Sequence, residues 1–205
     1  MKKILPQLSL VICILLFSFQ NLNAQRIEVH GIKDLSTNSI ANKAWGVGGA
    51  IDFDQWVKNI TFRANFNWGM HQNKNASPNP KFQLLSGGIS AFYSLQIKEK
   101  TSFQCGAEVN YTNLKCNSGY YFEYTATDTI ALSLHHIGNF IGIGAHIGFR
   151  YDLSPRFCIA LNFIPQYLIL VNNKVSVKNE ESIYNKGIWM FPIQLGISFK
   201  LYNSE

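Results

Sequence analysis

The 205-residue sequence lacks the signatures of several common protein classes. No apolar run reaches the roughly 20 residues that a helix needs to cross a hydrocarbon core. The basic residues are scattered, without a cluster or a zinc-type Cys/His spacing, so the usual footprint of a nucleic-acid-binding protein is missing. Gly46, Gly48 and Gly49 are not followed by the Gly-Lys-Ser/Thr of a phosphate loop, and easing the curvature of a sheet explains them better.

Cysteine is scarce, with four in the chain. Cys13 lies in the leading apolar run, which leaves Cys105, Cys116 and Cys158, an odd number that predicts no disulfide framework. We expect Cys105 and Cys158 to be small strand residues and Cys116 to lie in a loop. A disulfide that involves Cys116 stays open.

The N-terminus has the order of a secretory signal peptide. Lys2 and Lys3 precede an apolar run from Leu8 to Phe19, and Ala24 supplies the small residue expected before a cleavage site. We therefore expect residues 1–24 to be removed and residues 25–205 to form a single domain. Loss of the two lysines lowers the formal net charge of +6 to +4, a weak bias.

Apolar and polar residues alternate along the rest of the chain. In the last segment every second residue from Trp189 to Leu201 is apolar, and most residues between them are small or polar. A period of two is the pattern of a strand with one apolar face. Seven more segments repeat it, starting at Ile27, Trp45, Ile60, Leu85, Phe103, Ile137 and Phe157.

The connections between these eight segments alternate in length. Short turns at one end and long loops at the other are typical of a transmembrane up-and-down barrel, whose closure leaves no unpaired sheet edge in lipid. The sequence therefore predicts an all-β, eight-stranded antiparallel barrel with both termini on the periplasmic side. The short connections are Asp54–Lys58, Lys98–Thr101 and Asp152–Pro155, and the long ones are Asp34–Lys43, Gln72–Lys81, Cys116–His136 and Val171–Lys186.

Aromatic residues fall near the strand ends on the apolar side, which is how a membrane-interface girdle is arranged. Pro165 and Pro192 lie within predicted strands, where proline cannot donate to the ladder, so each requires a bulge or a strand end. The girdle candidates are Trp45, Trp68, Tyr93, Tyr111, Tyr151, Tyr167, Trp189 and Phe199.

The chain resembles the small outer-membrane barrels of the OmpA-like and OmpX-like class, in particular the Bacteroidetes type, which includes PorT-like secretion accessories. The Asn23-Ala24-Gln25 junction and the closing segment Phe191–Leu201 carry this resemblance. It implies insertion into the outer membrane of a Gram-negative bacterium, with lipids and the barrel-assembly machinery as partners. One departure is the C-terminus, where Tyr202 is followed by three polar residues instead of ending the chain.

The inward face of such a barrel is polar. Eight strands leave an interior wide enough only for side chains or one small ligand, and an unpaired charge there is costly. We therefore predict a structural polar network without a cofactor or a metal, and no general diffusion pore. Its ionisable members are Glu28, His30, Asp52, Arg63, Glu108, His146, Arg150 and Lys200, with Asn65, Asn67, Asn110, Asn162, Gln166 and Gln194 among them.

Two sharper hypotheses use some of the same residues. His146 beside Glu108 or Arg150 would suit general acid–base chemistry, and His30 with His71 or His146 would suit a metal. Neither set has a diagnostic spacing, and no Ser/His/acid set stands out, so we predict that the protein is not an enzyme.

The longest connection carries an aromatic cluster of Tyr120, Tyr121, Phe122 and Tyr124. These residues either extend the strands above the membrane or form a recognition patch for a partner, a glycan or a host surface. The adjacent His135 and His136 are expected to be solvent-facing members of the same loop.

Three functions of different classes remain open. The leading one is a non-enzymatic outer-membrane barrel with a structural, adhesive or secretion-accessory role. The second is a lipid-modifying enzyme that acts at the barrel rim. The third is a soluble periplasmic lipocalin-like binder, in which apolar residues would face inward and polar residues outward.

Overall fold

The computed structural model describes residues 25–35, 44–57, 59–72, 81–124, 129–175 and 187–201. The predicted signal peptide, residues 1–24, lies outside them. No helix within the described ranges is long and apolar enough to span a membrane. The strands are β1 (Gln25–Asp34), β2 (Ala44–Val57), β3 (Ile60–Gln72), β4 (Lys81–Lys98), β5 (Thr101–Tyr124), β6 (Thr129–Asp152), β7 (Phe157–Phe163), β8 (Gln166–Val175), β9 (Gly187–Met190) and β10 (Ile193–Lys200).

These strands form one closed antiparallel sheet. β1 to β6 pair in chain order, and β6 then pairs with both β7 and β8. β7 pairs with β10 and β8 with β9, so β7 with β8, and β9 with β10, are each one wall strand with a break. The β1–β10 pairing, from Arg26↔Lys200 to Lys33↔Ile193, closes the wall. The prediction of an eight-stranded antiparallel barrel is confirmed.

The two breaks lie at the two prolines, directly opposite each other. The Ile164 N–H donates to the Pro192 carbonyl at 3.0 Å, and the Ala145 N–H donates to the Pro165 carbonyl at 3.0 Å. Neither proline returns a bond, because it has no N–H. Inward and outward side chains still alternate through both breaks. Each proline therefore removes a hydrogen bond between strands without changing which residues face the lumen.

One end of the barrel, here called the turn end, carries the β2–β3, β4–β5 and β6–β7 connections. All three are short, as predicted, although β2 runs to Val57 and leaves a tighter turn than expected. Asn59 in that turn has φ 64°, a left-handed conformation that asparagine adopts more readily than most residues. Its side-chain amide donates to the Tyr93 hydroxyl at 3.0 Å.

The opposite end, the loop end, is dominated by β5 and β6. β4 last pairs with β5 at Asn117, and β8 last pairs with β6 at His136, yet β5 and β6 pair on to Tyr124↔Thr129. The placements of Cys116 and His136 in a loop were therefore wrong, because strand extension occupies most of that connection. His136 is buried, and only His135 is solvent-facing. The other three long connections fall largely outside the described residues.

The two faces of the wall differ in polarity. Large apolar side chains point outward on every wall strand, for example Val29, Ile89 and Leu195, each exposed by at least 60%. Most buried side chains at the turn end and in the middle are polar or charged. A soluble lipocalin-like binder needs the reverse arrangement, so the burial pattern argues against that alternative.

Near the loop end the lumen changes character and is filled by an apolar plug. β4, β5, β6, β8 and β9 all contribute to this cluster, and its members are at most 3% exposed. The plug consists of Phe82, Leu84, Leu114, Cys116, Phe140, Leu168, Ile188 and Met190, with Leu170 packed against it.

Gly106 supplies a test of how tightly the wall packs. A Cβ at this position would overlap the carbonyl oxygen of Ala91 and the backbone of Phe92. We expect Gly106→Ala to lower the free energy of unfolding by about 1–3 kcal/mol, as overpacking usually does. Urea unfolding of the folded barrel, followed by tryptophan fluorescence, measures this.

Gly87 is the matched control, because the nearest atom to its Cβ would be the Asn65 carbonyl oxygen at an ordinary 3.6 Å. Equal unfolding midpoints for Gly106→Ala and Gly87→Ala would contradict the packing described for β4 and β5.

Candidate functional site

The centre of the polar lumen is an ion network of Glu28, Asp52, Arg63 and Arg150. Arg63 donates from Nε to Asp52 Oδ1 at 2.6 Å and from Nη2 to Glu28 Oε2 at 2.7 Å. Arg150 Nη2 donates to Asp52 Oδ2 at 2.6 Å. All four side chains are almost completely buried. Such charges are tolerated only because each one has an opposite charge within hydrogen-bond distance.

The strand register brings these residues together. Asp52 on β2 and Arg63 on β3 are direct cross-strand partners, which sets the first ion pair. Glu28 lies on β1, which pairs with the opposite edge of β2. Its carboxylate reaches past Asp52 to contact Arg63. Arg150 on β6 comes from the far side of the barrel, so the network links opposite walls through the lumen.

A histidine extends the network toward the loop end. His30 Nδ1 lies 3.1 Å from Glu28 Oε1, and its Nε2 lies 2.9 Å from Asn67 Oδ1. A Cβ on Gly48 would overlap both Asn67 Oδ1 and His30 Nε2, so this position must be glycine for the contact to form. The prediction that Gly48 eases sheet curvature is therefore supplemented by a packing role.

Arg63 also stacks. Its guanidinium carbon lies 5.4 Å from the centroid of the Phe92 ring, a cation–π distance. The Phe92 ring also stacks on the ring of His146, which is nearly parallel to it at 4.5 Å between centroids. Neither ring nitrogen of His146 has a hydrogen-bond partner among the described residues. His146 therefore acts as a packed ring, without the contact to Glu108 or Arg150 that acid–base chemistry would need.

A second polar group surrounds Glu108. Asn65 Nδ2 donates to Glu108 Oε2 at 3.1 Å, and Asn110 Nδ2 lies 3.4 Å from Oε1. Asn110 also donates to Gln166, and its own oxygen accepts from Thr112 at 3.1 Å. Glu108 is thus held by amides and forms no ion pair with a described residue.

The structure places seven of the eight predicted ionisable lumen residues in the barrel interior. The eighth, Lys200, is half-buried at the turn end, where it lines an open cavity of about 530 Å³ together with Arg26, Lys100 and Arg156. It belongs to the rim and not to the ion network. The six predicted amides are all buried in the lumen.

Sequence reasoning missed the apolar plug. Its signal is present as neighbouring apolar pairs near the loop ends of strands, such as Leu84-Leu85, Phe140-Ile141 and Leu168-Ile169. In each pair one side chain points outward and the other points into the lumen. An alternation pattern that follows only the outward apolar residues therefore overlooks the inward one.

The metal hypothesis gains no support. Among the described residues, no group of three or more His, Cys, Asp or Glu side chains could hold a metal. His30 contacts Glu28 and Asn67 instead of His146, and the side chain of His71 lies outside those described. Cys105, Cys116 and Cys158 are free thiols; Cys158 Sγ lies 2.8 Å from Ser198 Oγ.

Comparison with known proteins identifies the fold. No family model and no curated protein matches the chain. Among solved structures, Neisserial surface protein A matches with a TM-score of 0.57 at 18% identity, over 87% of this chain and 99% of that one. Ail, the attachment invasion locus protein of Yersinia pestis, matches with a TM-score of 0.54 at 11% identity, over 87% and 99%.

A third match is a major outer membrane protein from Thermus thermophilus, with a TM-score of 0.57 at 12% identity over 86% of this chain and 99% of that one. At these identities the likeness is one of fold. The resemblance to small outer-membrane barrels is confirmed at that level, and the Bacteroidetes type stays a prediction.

Removal of Arg63 tests the ion network. Arg63→Met leaves Glu28 and Asp52 buried beside each other with one cation fewer, so we expect a loss of about 3–5 kcal/mol in the free energy of unfolding. Chemical denaturation in detergent micelles measures the loss. Arg156→Met is the control, because Arg156 is exposed in the β6–β7 turn and its loss should change stability little. Equal effects of the two substitutions would show that Arg63 does not hold the lumen together.

Proposed function

We propose that the chain is an integral outer-membrane protein, not an enzyme, that attaches the cell surface to an external partner through the β5–β6 hairpin. The observation that carries membrane insertion is the outward belt of large apolar side chains. Soluble monomers rarely expose contiguous apolar patches beyond a few hundred Å². A belt around a closed barrel with a polar interior is the arrangement that lipid stabilises.

Aromatic side chains border this belt at both ends. Trp45 and Trp189 lie outward toward the loop end, and Tyr93 and Tyr151 lie outward toward the turn end. Lys33 Nζ sits 4.7 Å from the centroid of the Trp45 ring, which places a cation at one border. Tryptophan and tyrosine favour the headgroup level, so this distribution supports a membrane plane perpendicular to the barrel axis.

The orientation follows from the connections. Known transmembrane barrels keep short turns on the periplasmic side and longer connections outside. The turn end is then periplasmic, together with the first residue of β1 and the last residue of β10. Outer-membrane lipids and the barrel-assembly machinery are the partners that this location requires.

The β5–β6 hairpin supports attachment. Beyond Asn117 and His135 its two strands pair only with each other in the described structure, over the pairs from Gly119↔Leu134 to Tyr124↔Thr129. Six or seven residues per strand extend roughly 20 Å. The sequence places Tyr120, Tyr121, Phe122 and Tyr124 on this projection, and tyrosine-rich surfaces are common in recognition. Their side chains lie outside those described. A secretion-accessory role would use the same surface for a cellular partner.

Membrane insertion is tested by one charge in the belt. Ile89 is 67% exposed near the middle of β4, so Ile89→Arg should cost about 2–4 kcal/mol of stability in lipid vesicles, as arginine does at the bilayer midplane. Leu153→Arg, at the turn end, should cost about 0–1 kcal/mol.

Fractionation of cells and the gel mobility of unboiled samples should place the unaltered protein in outer membranes. Release of the protein with the soluble periplasm would overturn the proposal.

Attachment is tested separately. Replacing residues 118–134 with a short turn removes the projection and leaves the pairings of β4, β5, β6 and β8 below it. We expect the shortened barrel to remain heat-modifiable while cells that display it lose adhesion to host cells or to glycan-coated surfaces. Unchanged adhesion would exclude the hairpin and leave a structural or secretion-accessory role.

A further inference from the structure

A small cavity lies in the lumen between the ion network and the apolar plug. It measures about 10 Å³, enough for one water molecule or one bare metal ion. Oxygen-bearing side chains dominate its polar lining, and neither histidine nor cysteine contributes. The polar side chains that line it are those of Asp34, Asn67, Ser86, Glu108, Asn110, Gln166 and Gln194.

The charges around this cavity do not balance. The buried lumen side chains described in the structure include four carboxylates, those of Glu28, Asp34, Asp52 and Glu108, but only two guanidinium groups, Arg63 and Arg150. Both guanidinium groups are committed to the ion network. Two carboxylates therefore remain, and both line the cavity.

Each of these carboxylates lacks a cationic contact among the described residues. Within the described part of the chain, Glu108 accepts hydrogen bonds only from the side-chain amides of Asn65 and Asn110. Asp34 is 3% exposed, and its Oδ1 accepts no hydrogen bond from any residue in the described ranges. A buried carboxylate oxygen without a partner costs far more than a paired one, which points to a missing positive charge at this place.

We propose that the Asp34–Glu108 cavity binds one hard divalent cation of the Ca²⁺ type. Carboxylate and amide oxygens are the ligands that Ca²⁺ prefers. Mg²⁺ usually keeps several of its waters, and a cavity of one-water volume has no room for them. The soft metals favour histidine or thiolate ligands, which the lining does not supply. The bound ion neutralises both carboxylates and fixes the junction between the polar lumen and the apolar plug.

The test uses the full barrel folded in detergent micelles and stripped with EDTA. Calorimetric titration with CaCl₂ should show about one site per chain, and MgCl₂ should produce a much weaker signal. At a free Ca²⁺ concentration about 100 times Kd, the ratio of folded to unfolded protein should rise about 100-fold. Absence of both effects in the unaltered protein overturns the proposal, whatever the variants do.

Two isosteric substitutions assign the site. Asp34→Asn with Glu108→Gln should abolish the Ca²⁺ signal, and in EDTA this double variant should be more stable than the unaltered barrel, because it removes two uncompensated charges. Adding Ca²⁺ should reverse that order of stability. Glu99→Gln is the matched control, since Glu99 is an exposed carboxylate in the β4–β5 turn. Retained binding in the double variant would assign the ion to the surface or the detergent and reject the cavity site.

Discussion

Closure of the sheet is the constraint on which the rest of this structure depends. A closed wall gives every residue an inside or an outside, and the interior is too narrow for bulk water to solvate charge. Arg63 shows the consequence, because its guanidinium is bracketed by Glu28, Asp52 and the ring of Phe92. Lumen charges at the turn end form ion pairs with one another. The outer face does not have to carry them and can be apolar.

The lumen has two parts with different physics. Toward the turn end, directional ion pairs and amide contacts tie opposite walls together and specify which strands face each other. Toward the loop end, the apolar plug fills the space by packing, which tolerates substitution of similar volume but excludes water. The β5–β6 hairpin rises from the wall beside the apolar part, since Leu114 and Cys116 of β5 belong to the plug.

Much of the fold could be predicted because period-two alternation reports directly on a wall with two different faces. The strand segments, the short turns and the inward positions of Glu28, Asp52 and Arg63 follow from that alternation. The apolar plug did not, since Leu84 and Phe140 look like part of the outward run that they adjoin. The alternation also assigned Lys200 to the interior network. Lys200 lies at a strand end at the rim, where an inward residue becomes accessible to solvent. Pair geometry, such as His146 on Phe92, depends on stagger between strands that the sequence does not display.

The opposed breaks at Pro165 and Pro192 have a consequence for the wall as a ring. Hydrogen bonds around a barrel act as a hoop, and this hoop lacks two donors at the same height. The donor missing at Pro192 lies between the β7–β8 and β9–β10 wall strands, and the donor missing at Pro165 lies between β6 and the β7–β8 wall strand. Thermal opening should therefore begin along the β7–β8 wall strand, which both breaks weaken. Pro192 also lines the Asp34–Glu108 cavity. The weakest part of the hydrogen-bonded ring thus lies beside the two lumen carboxylates that have no cationic contact among the described residues.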